Sequence, residues 1–201
     1  MAPAEGGRAD VKVSHLGPGD ALVVVDVQRD FLPGGARGVP AGDEVIAPLN
    51  RAISLFERAG LPIFYSRDWH PANHVSFRAR GGPWPRHCVA GTEGAAFAPT
   101  LRVPPGAVVV SKATSPDRDV ESAFQDTTLA PQLRAAGVRR LYVGGLATDY
   151  SVRATVLAAR REGFDVRVIA DAIRAVDVQP GDGQRALQEM QLAGAQLTSR
   201  C

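Results

Sequence analysis

Three groups of residues have side chains whose types and spacing can do chemistry. Asp26 follows the apolar run Ala21-Leu22-Val23-Val24-Val25 and opens Asp26-Val27-Gln28-Arg29-Asp30-Phe31, while Lys112 follows Val108-Val109-Val110-Ser111. A carboxylate and an ammonium at neighbouring strand ends would share one crevice, where the cation tunes the carboxylate as a general acid or base. Taken singly, each reads equally as a solvated charge or half of a structural ion pair. The second group is the histidines, three of the chain's four lying between positions 70 and 87. Asp68-Trp69-His70 puts a carboxylate and an imidazole at i and i+2, on one side of an extended segment. His87, in Trp84-Pro85-Arg86-His87-Cys88, can close the group from across the loop. One carboxylate and two imidazoles fit a divalent ion such as Zn²⁺, Fe²⁺ or Mn²⁺ better than Mg²⁺ or Ca²⁺. Ordinary loop hydrogen bonding is the alternative. His74 and Ser76 are close enough to complete such a shell or to orient a ligand from behind it, and Cys88 reads as packing.

The third group is Gly144-Gly145-Leu146-Ala147-Thr148-Asp149-Tyr150-Ser151, which runs from a strand through a tight turn into a helix. Thr148 or Asp149 is the expected N-cap, and Ser151 then falls in the first helical turn. An oxyanion beside Ser151 would meet free N–H groups and the positive end of the helix dipole. A serine there can also be a simple cap. Phe31 and Trp84 sit in loops beside these groups, as core aromatics or as the walls of an apolar slot for a flat ring.

These residues are positioned by a regular alternation of elements. Strands are expected near 21–26, 62–66, 107–111, 140–144 and 165–169, with a weaker one near 195–198. Helices are expected over 43–59, 127–136, 149–163 and 182–193. Strands apolar along their whole length are buried on both faces, and the intervening helices supply the crossovers that parallel pairing needs. The fold class is therefore α/β, a Rossmann-like doubly wound sheet, mostly parallel, of about six strands with helices on both faces. Ligands in such sheets sit at the carboxyl ends of the strands, which singles out Asp26, Arg67 to His70, Lys112 and Gly145 to Asp149. Residues 67–106, rich in Pro, Gly, aromatics and His, and the polar loop 113–126 break the rhythm; segments of such length are usually functional or disordered, and the aromatic content argues against disorder.

The 201 residues suit one domain, expected over 19–201 behind a flexible arm over 1–18. With 23 Lys and Arg against 21 Asp and Glu, and no run of five or more like charges, no nucleic-acid groove is expected. The longest apolar runs fall far short of the ~18 residues that cross a bilayer. Two cysteines, Cys88 and Cys201, make no disulfide framework, and a cytoplasmic protein is expected.

Taken in order, Asp-Val-Gln-Arg-Asp-Phe at 26–31, Arg-Asp-Trp-His-Pro-Ala-Asn-His at 67–74, Trp-Pro-Arg-His-Cys-Val at 84–89, Lys112 and Gly-Leu-Ala-Thr-Asp-Tyr-Ser-Val-Arg-Ala-Thr at 145–155 resemble the nicotinamidase branch of the isochorismatase-like cysteine hydrolases. The resemblance runs from about residue 20 to near the end. It implies the isochorismatase-like hydrolase fold and the conversion of nicotinamide to nicotinate and ammonia through an acyl-enzyme at position 151, with pyrazinamide as a further substrate. It implies Asp26 as base, Lys112 as cation and position 151 as nucleophile. Asp68, His70 and His87 would hold one divalent metal ion, zinc first and iron or manganese after it, which binds the pyridine nitrogen or its bridging water. Phe31 and Trp84 would flank the ring, with Leu146 and Tyr150 also against the substrate. The amides of Ala147 and Ser151 would form the oxyanion hole, with a cis peptide between Leu146 and Ala147. A homo-oligomer also follows from the resemblance.

One departure outweighs the agreements, because the family's nucleophile is a cysteine and position 151 is Ser151. A helix start and a nearby Lys can bring a thiol's pKa toward neutrality. They cannot ionise a hydroxyl, which needs a strong positioned base. The expectation is a substrate-trapping or very low-activity form. Rival readings are a metal-free isochorismatase-like hydrolase of a vinyl ether, a non-catalytic nicotinamide-binding protein, and a serine amidase. A smaller departure is Glu121, where nicotinamidases often carry an aromatic residue.

Overall fold

The computed structural model describes residues 16–198, so the expected arm falls outside the described residues except for its last three positions, as does Cys201. Six strands, β1 (Asp20–Val25), β2 (Ile63–Asp68), β3 (Val108–Lys112), β4 (Arg140–Leu146), β5 (Asp165–Arg174) and β6 (Gln196–Thr198), form one sheet in the order β3-β2-β1-β4-β5-β6. Every pairing is parallel. Four helices connect them: α1 (Ile46–Arg58), α2 (Leu129–Ala135), α3 (Arg153–Arg161) and α4 (Asp182–Leu192). The strand order is that of a doubly wound sheet, as expected, with its switch point between β1 and β4. Among the described residues no helix is long and apolar enough to cross a membrane.

The period of two in β1 explains why its run is apolar throughout. Leu22 and Val24 point into a core with Leu49, Ala52, Ile53 and Phe56 of α1. Ala21, Val23 and Val25 point into a second core with Leu129 and Leu133 of α2, Val156 and Ala159 of α3, and Met190 of α4. One helix thus covers one face and three the other. Full burial of a Leu, Ile or Phe side chain is worth about 1.5–3 kcal/mol, so both faces hold the sheet firmly behind its carboxyl ends.

Three boundaries differ from expectation by three residues or more, each for a local reason. α1 begins three residues late because Gly42–Val45 winds a tighter 3-10 turn. α3 begins at Arg153 rather than 149 because Thr148–Val152 forms a wider π turn, with Tyr150 at φ −121° and ψ −106°. β5 runs on to Arg174, past a register shift in which Val143 pairs with Val168 but Gly145 pairs with Ile173. Bulged residues of this kind carry no sequence period and re-aim the strand beyond them.

At the switch point Gly145 has φ +132°, and a Cβ there would lie 2.0 Å from the Val25 carbonyl oxygen. The chain can pass so close to β1 only without a side chain. Gly145→Ala is expected to lower unfolding free energy by about 3 kcal/mol, through combined strain and overpacking, read as a lower urea midpoint at unchanged slope.

Candidate active site and metal centre

The ends of β1, β2 and β3 bring three charges together. Lys112 is 1% exposed; its Nζ lies 2.5 Å from Asp68 Oδ1 and 2.9 Å from Asp26 Oδ2, and donates to Ser151 Oγ at 3.4 Å. Asp26 sits just beyond β1 at φ 48°, a left-handed conformation that costs a non-glycine residue. Its amide still donates to Ser66 O at 3.1 Å, and the Ser66 hydroxyl donates to its Oδ1 at 2.6 Å.

One ammonium cannot serve two buried carboxylates equally. Burial, and then the charge of Asp68, push the Asp26 carboxyl above its ordinary range, against the pull of Lys112 and Ser66. Burial also opposes ionisation of Asp68, but Lys112 and His70 outweigh it and hold that carboxyl well below the usual range. Burial works against the Lys112 charge too, yet the two carboxylates overcome it and keep the ammonium protonated well past neutrality. Asp26 is thus the group able to take up a proton, while Asp68 stays anionic.

Asp68, His70 and His87, all buried, each offer a ligand atom within 4.8 Å of the others. The ring nitrogens show which atoms are free. His70 Nδ1 lies 3.3 Å from Ala113 O and His87 Nδ1 lies 2.8 Å from Pro85 O; a carbonyl only accepts, so both Nδ1 atoms carry a proton and the Nε2 atoms are left as the candidate ligand atoms. His70 Nε2 is buried without a hydrogen-bond partner. Burial first, with His70 adding, takes the His87 pKa down to about 4 against the pull of Pro85 O, so His87 is neutral at pH 7. Two imidazoles with carbonyl-anchored Nδ1–H groups and one fixed carboxylate make a donor set that fits a divalent cation of the zinc, iron or manganese type. His74 lies stacked on His70 at 4.2 Å, its Nδ1 2.8 Å from Ser76 Oγ and its Nε2 donating to Arg118 O at 3.1 Å. Both its nitrogens are taken, so His74 and Ser76 brace His70 from behind.

The segment 26–31 orients this cluster, which its sequence alone did not disclose. Gln28 Nε2 donates to Asp68 O at 2.8 Å while Gln28 Oε1 accepts the Asp68 amide at 2.8 Å, clamping that residue's backbone on both sides. Asp30 Oδ2 accepts the Cys88 amide at 2.7 Å, fixing the chain just past His87. Gly94 makes room for it, since a Cβ there would fall 2.2 Å from Asp30 Oδ2. Cys88 is fully buried and packs in the core as expected.

Beyond β4 the Leu146–Ala147 peptide is cis, as the resemblance implied. The amides of Tyr150 and Val152 both donate to Ala147 O at 3.1 Å, closing the turn around Ser151. No side chain caps it. Asp149 instead accepts the amides of Val176 and Asp177 at 2.9 and 2.8 Å, so the expected Thr148 or Asp149 cap is replaced by a tie to the loop after β5, and Ser151 lies in the π turn ahead of α3. A small cavity adjoins, lined by Phe31, Arg37, Leu146, Ala147, Tyr150 and Ser151 among others. Phe31 also meets His87, ring centres 5.7 Å apart, which joins the cavity to the metal cluster. Trp84 stands with its ring under the Arg37 guanidinium, 3.4 Å from the centroid, and edge-on to Tyr150 at 5.6 Å. Sequence reasoning passed over Arg37, Ser66, Gln28 and Asp30. Only Gln28 and Asp30 left a trace, as polar residues inside a motif otherwise explained by Asp26 and Phe31.

The Lys112 contacts have a measurable consequence. In Lys112→Met the two buried carboxyls lose their counter-ion, so their folded pKa values rise above the unfolded value of about 3.9. A raised folded pKa gives stability that is present at low pH and lost as pH rises. The variant is expected to lose about 3 kcal/mol near pH 7 and progressively less toward about pH 4, measured by chemical denaturation of both proteins across that range.

Residues 20–200 match the isochorismatase domain. The nicotinamidase of Escherichia coli K12 is 41% identical over 201 residues, spanning 90% of this chain and 94% of that protein. The pyrazinamidase of Pyrococcus horikoshii, solved in complex with zinc, superposes with a TM-score of 0.87 at 50% identity, spanning 90% of this chain and 99% of that one. A protein from L. infantum solved in complex with nicotinate superposes with a TM-score of 0.86 at 34% identity, spanning 94% of this chain and 96% of that one. With a family match over almost its whole length, and the strand-end charges, histidine cluster and cis turn in one crevice, the chain belongs to the isochorismatase family, in its nicotinamidase branch.

Proposed function

We propose that this chain is a metal-dependent amidase of the nicotinamidase type, with nicotinamide as substrate, nicotinate and ammonia as products, and pyrazinamide as a further substrate. The observation that carries the reading is the meeting of Asp26, Lys112 and Ser151 with the Asp68, His70 and His87 cluster through one shared carboxylate. A divalent ion such as zinc would be held by Asp68, His70 and His87, where it would supply Lewis acidity toward the substrate. Phe31, Leu146 and Tyr150 enclose the flat ring, with Trp84 behind them, so that the carboxamide carbon faces position 151. The amides of Ala147 and Ser151 stabilise the carbonyl oxygen as it becomes an oxyanion.

Asp26 is the proton carrier. It takes the nucleophile's proton, returns it to the amine leaving as ammonia, and takes one from the water that hydrolyses the acyl-enzyme. Lys112 cannot play that part, because two carboxylates keep it protonated and it donates to the side chain of residue 151. This also removes the Ser–Lys pair that a serine amidase would need.

Ser151 occupies the place of the family's cysteine. Beside Lys112 a thiol would lose its proton readily, whereas a hydroxyl keeps its own, and a carboxylate is a weak base for it. The chain therefore binds substrate and turns it over very slowly. Ser151→Cys is expected to raise ammonia release from nicotinamide by about three orders of magnitude. Background activity in that variant with metal bound would leave a non-catalytic binding protein as the reading. A second measurement addresses the cluster: the purified chain is expected to carry one divalent ion, and His70→Ala and His87→Ala to lose it while far-ultraviolet circular dichroism stays unchanged, read by elemental analysis. A purified chain without a divalent ion would return it to the metal-free hydrolases of the family, and retention of metal in both variants would place the ion away from this cluster.

A further inference from the structure

Arg37 is the one charged side chain on the cavity wall beside Ser151 that the chemistry above does not use. It sits in the glycine-rich segment after Phe31, with its amide donating to Asp30 O at 2.9 Å and that of Val39 to Phe31 O at 2.9 Å, so its backbone is tied to the site at both sides. Its guanidinium carbon lies 3.4 Å from the Trp84 ring centroid and 5.0 Å from that of Tyr150. Stacking uses the flat face of a guanidinium and leaves the N–H groups along its edge. Among the described residues none forms an ion pair or a side-chain hydrogen bond with it. Burial lowers its pKa, and Asp68, Tyr150, Asp119 and Glu121 act against that from a distance. An arginine remains charged under such a pull, so the half-buried cation carries a desolvation cost that a bound anion would relieve.

We propose that Arg37 is a specificity-determining residue whose edge N–H groups take a carboxylate carried by the ligand, so that the pocket favours anionic pyridines over neutral ones of the same shape. The inference rests on the pyridine-amide reading of the pocket. A planar carboxylate matches the fork of a guanidinium that Trp84 already holds in one orientation, and little side-chain entropy is left to lose. The carboxylate has two sources, the acid group of the product or a second acid group on the ring of an amide substrate.

The test is equilibrium binding to the metal-loaded chain, which slow turnover permits. Nicotinamide, nicotinate and nicotinamide bearing a carboxylate at ring position 5 are titrated by calorimetry into the wild type, Arg37→Met and Arg37→Lys. Arg37→Met is expected to weaken at least one of the two acids about tenfold while nicotinamide stays within about twofold, and Arg37→Lys to recover part of the loss. A loss confined to nicotinate assigns Arg37 to the product acid; a loss confined to the carboxylated amide assigns it to the substrate. Equal weakening of all three ligands, as from lost packing on Trp84, or of none, overturns the proposal. If none of the three binds the wild type, the pyridine reading fails and takes the proposal with it.

Discussion

A single buried ammonium, Lys112 Nζ, is the constraint around which this crevice is arranged. Withdrawing an ion from water costs several kcal/mol even after relaxation. One opposite charge at about 4 Å returns only about 4 kcal/mol at an effective dielectric of 20. A lysine 1% exposed therefore needs more than one partner, and it has two. The sheet supplies them through order and register. β2 lies between β1 and β3, and Asp68 pairs directly with Lys112 across β2 and β3. Val25 pairs with Ser66, which places the Ser66 hydroxyl beside Asp26 one residue on. Slipping any of these strands by one residue would turn the charge to the other face.

Sharing one cation between two carboxylates divides their roles. Asp68 lies against Lys112 with one oxygen and faces His70 with the other, and so stays ionised. Asp26, under burial and the repulsion of Asp68, takes the more proton-accepting part. Two residues of the same type are thus separated into a fixed anion and a more readily protonated carboxyl by position alone. Asp68 belongs to both halves of the site, and a change at either half alters the charge felt at the other.

What could be read in the residues was whatever depends on local period. The apolar runs mark β1 to β4, and the observed strands begin and end within about two residues of expectation; burial on both faces fails only in β3, which lies at the sheet edge with Val109 exposed. The i, i+2 spacing of Asp68 and His70 was legible for the same reason. The contact of Lys112 with Asp68 was not, since it follows from which strands lie side by side. The turn at 148–152 reads as an ordinary capped helix start until Asp149 is seen to hold the amides of Val176 and Asp177, residues that no local window contains. Arg37 was lost in a stretch of Gly and Pro that looks like solvated loop; its place is set by Asp30 and by the Trp84 ring.

Ser151 is best understood against this background of fixed charge. Everything around it is arranged for an anion: Lys112 donates to its oxygen, and the turn from Ala147 to Val152 wraps it at the head of α3. Such surroundings stabilise a thiolate by moving a pKa that begins near ~8.5. A hydroxyl given the same stabilisation keeps its neutral form in almost complete excess, because its pKa starts far higher. The surroundings that make a cysteine reactive thus make a serine a hydrogen-bond acceptor for Lys112, with the cavity and the ligand cluster unchanged. The walls and fixed charges of this crevice are set by the fold, whereas the ease with which residue 151 ionises depends on one atom.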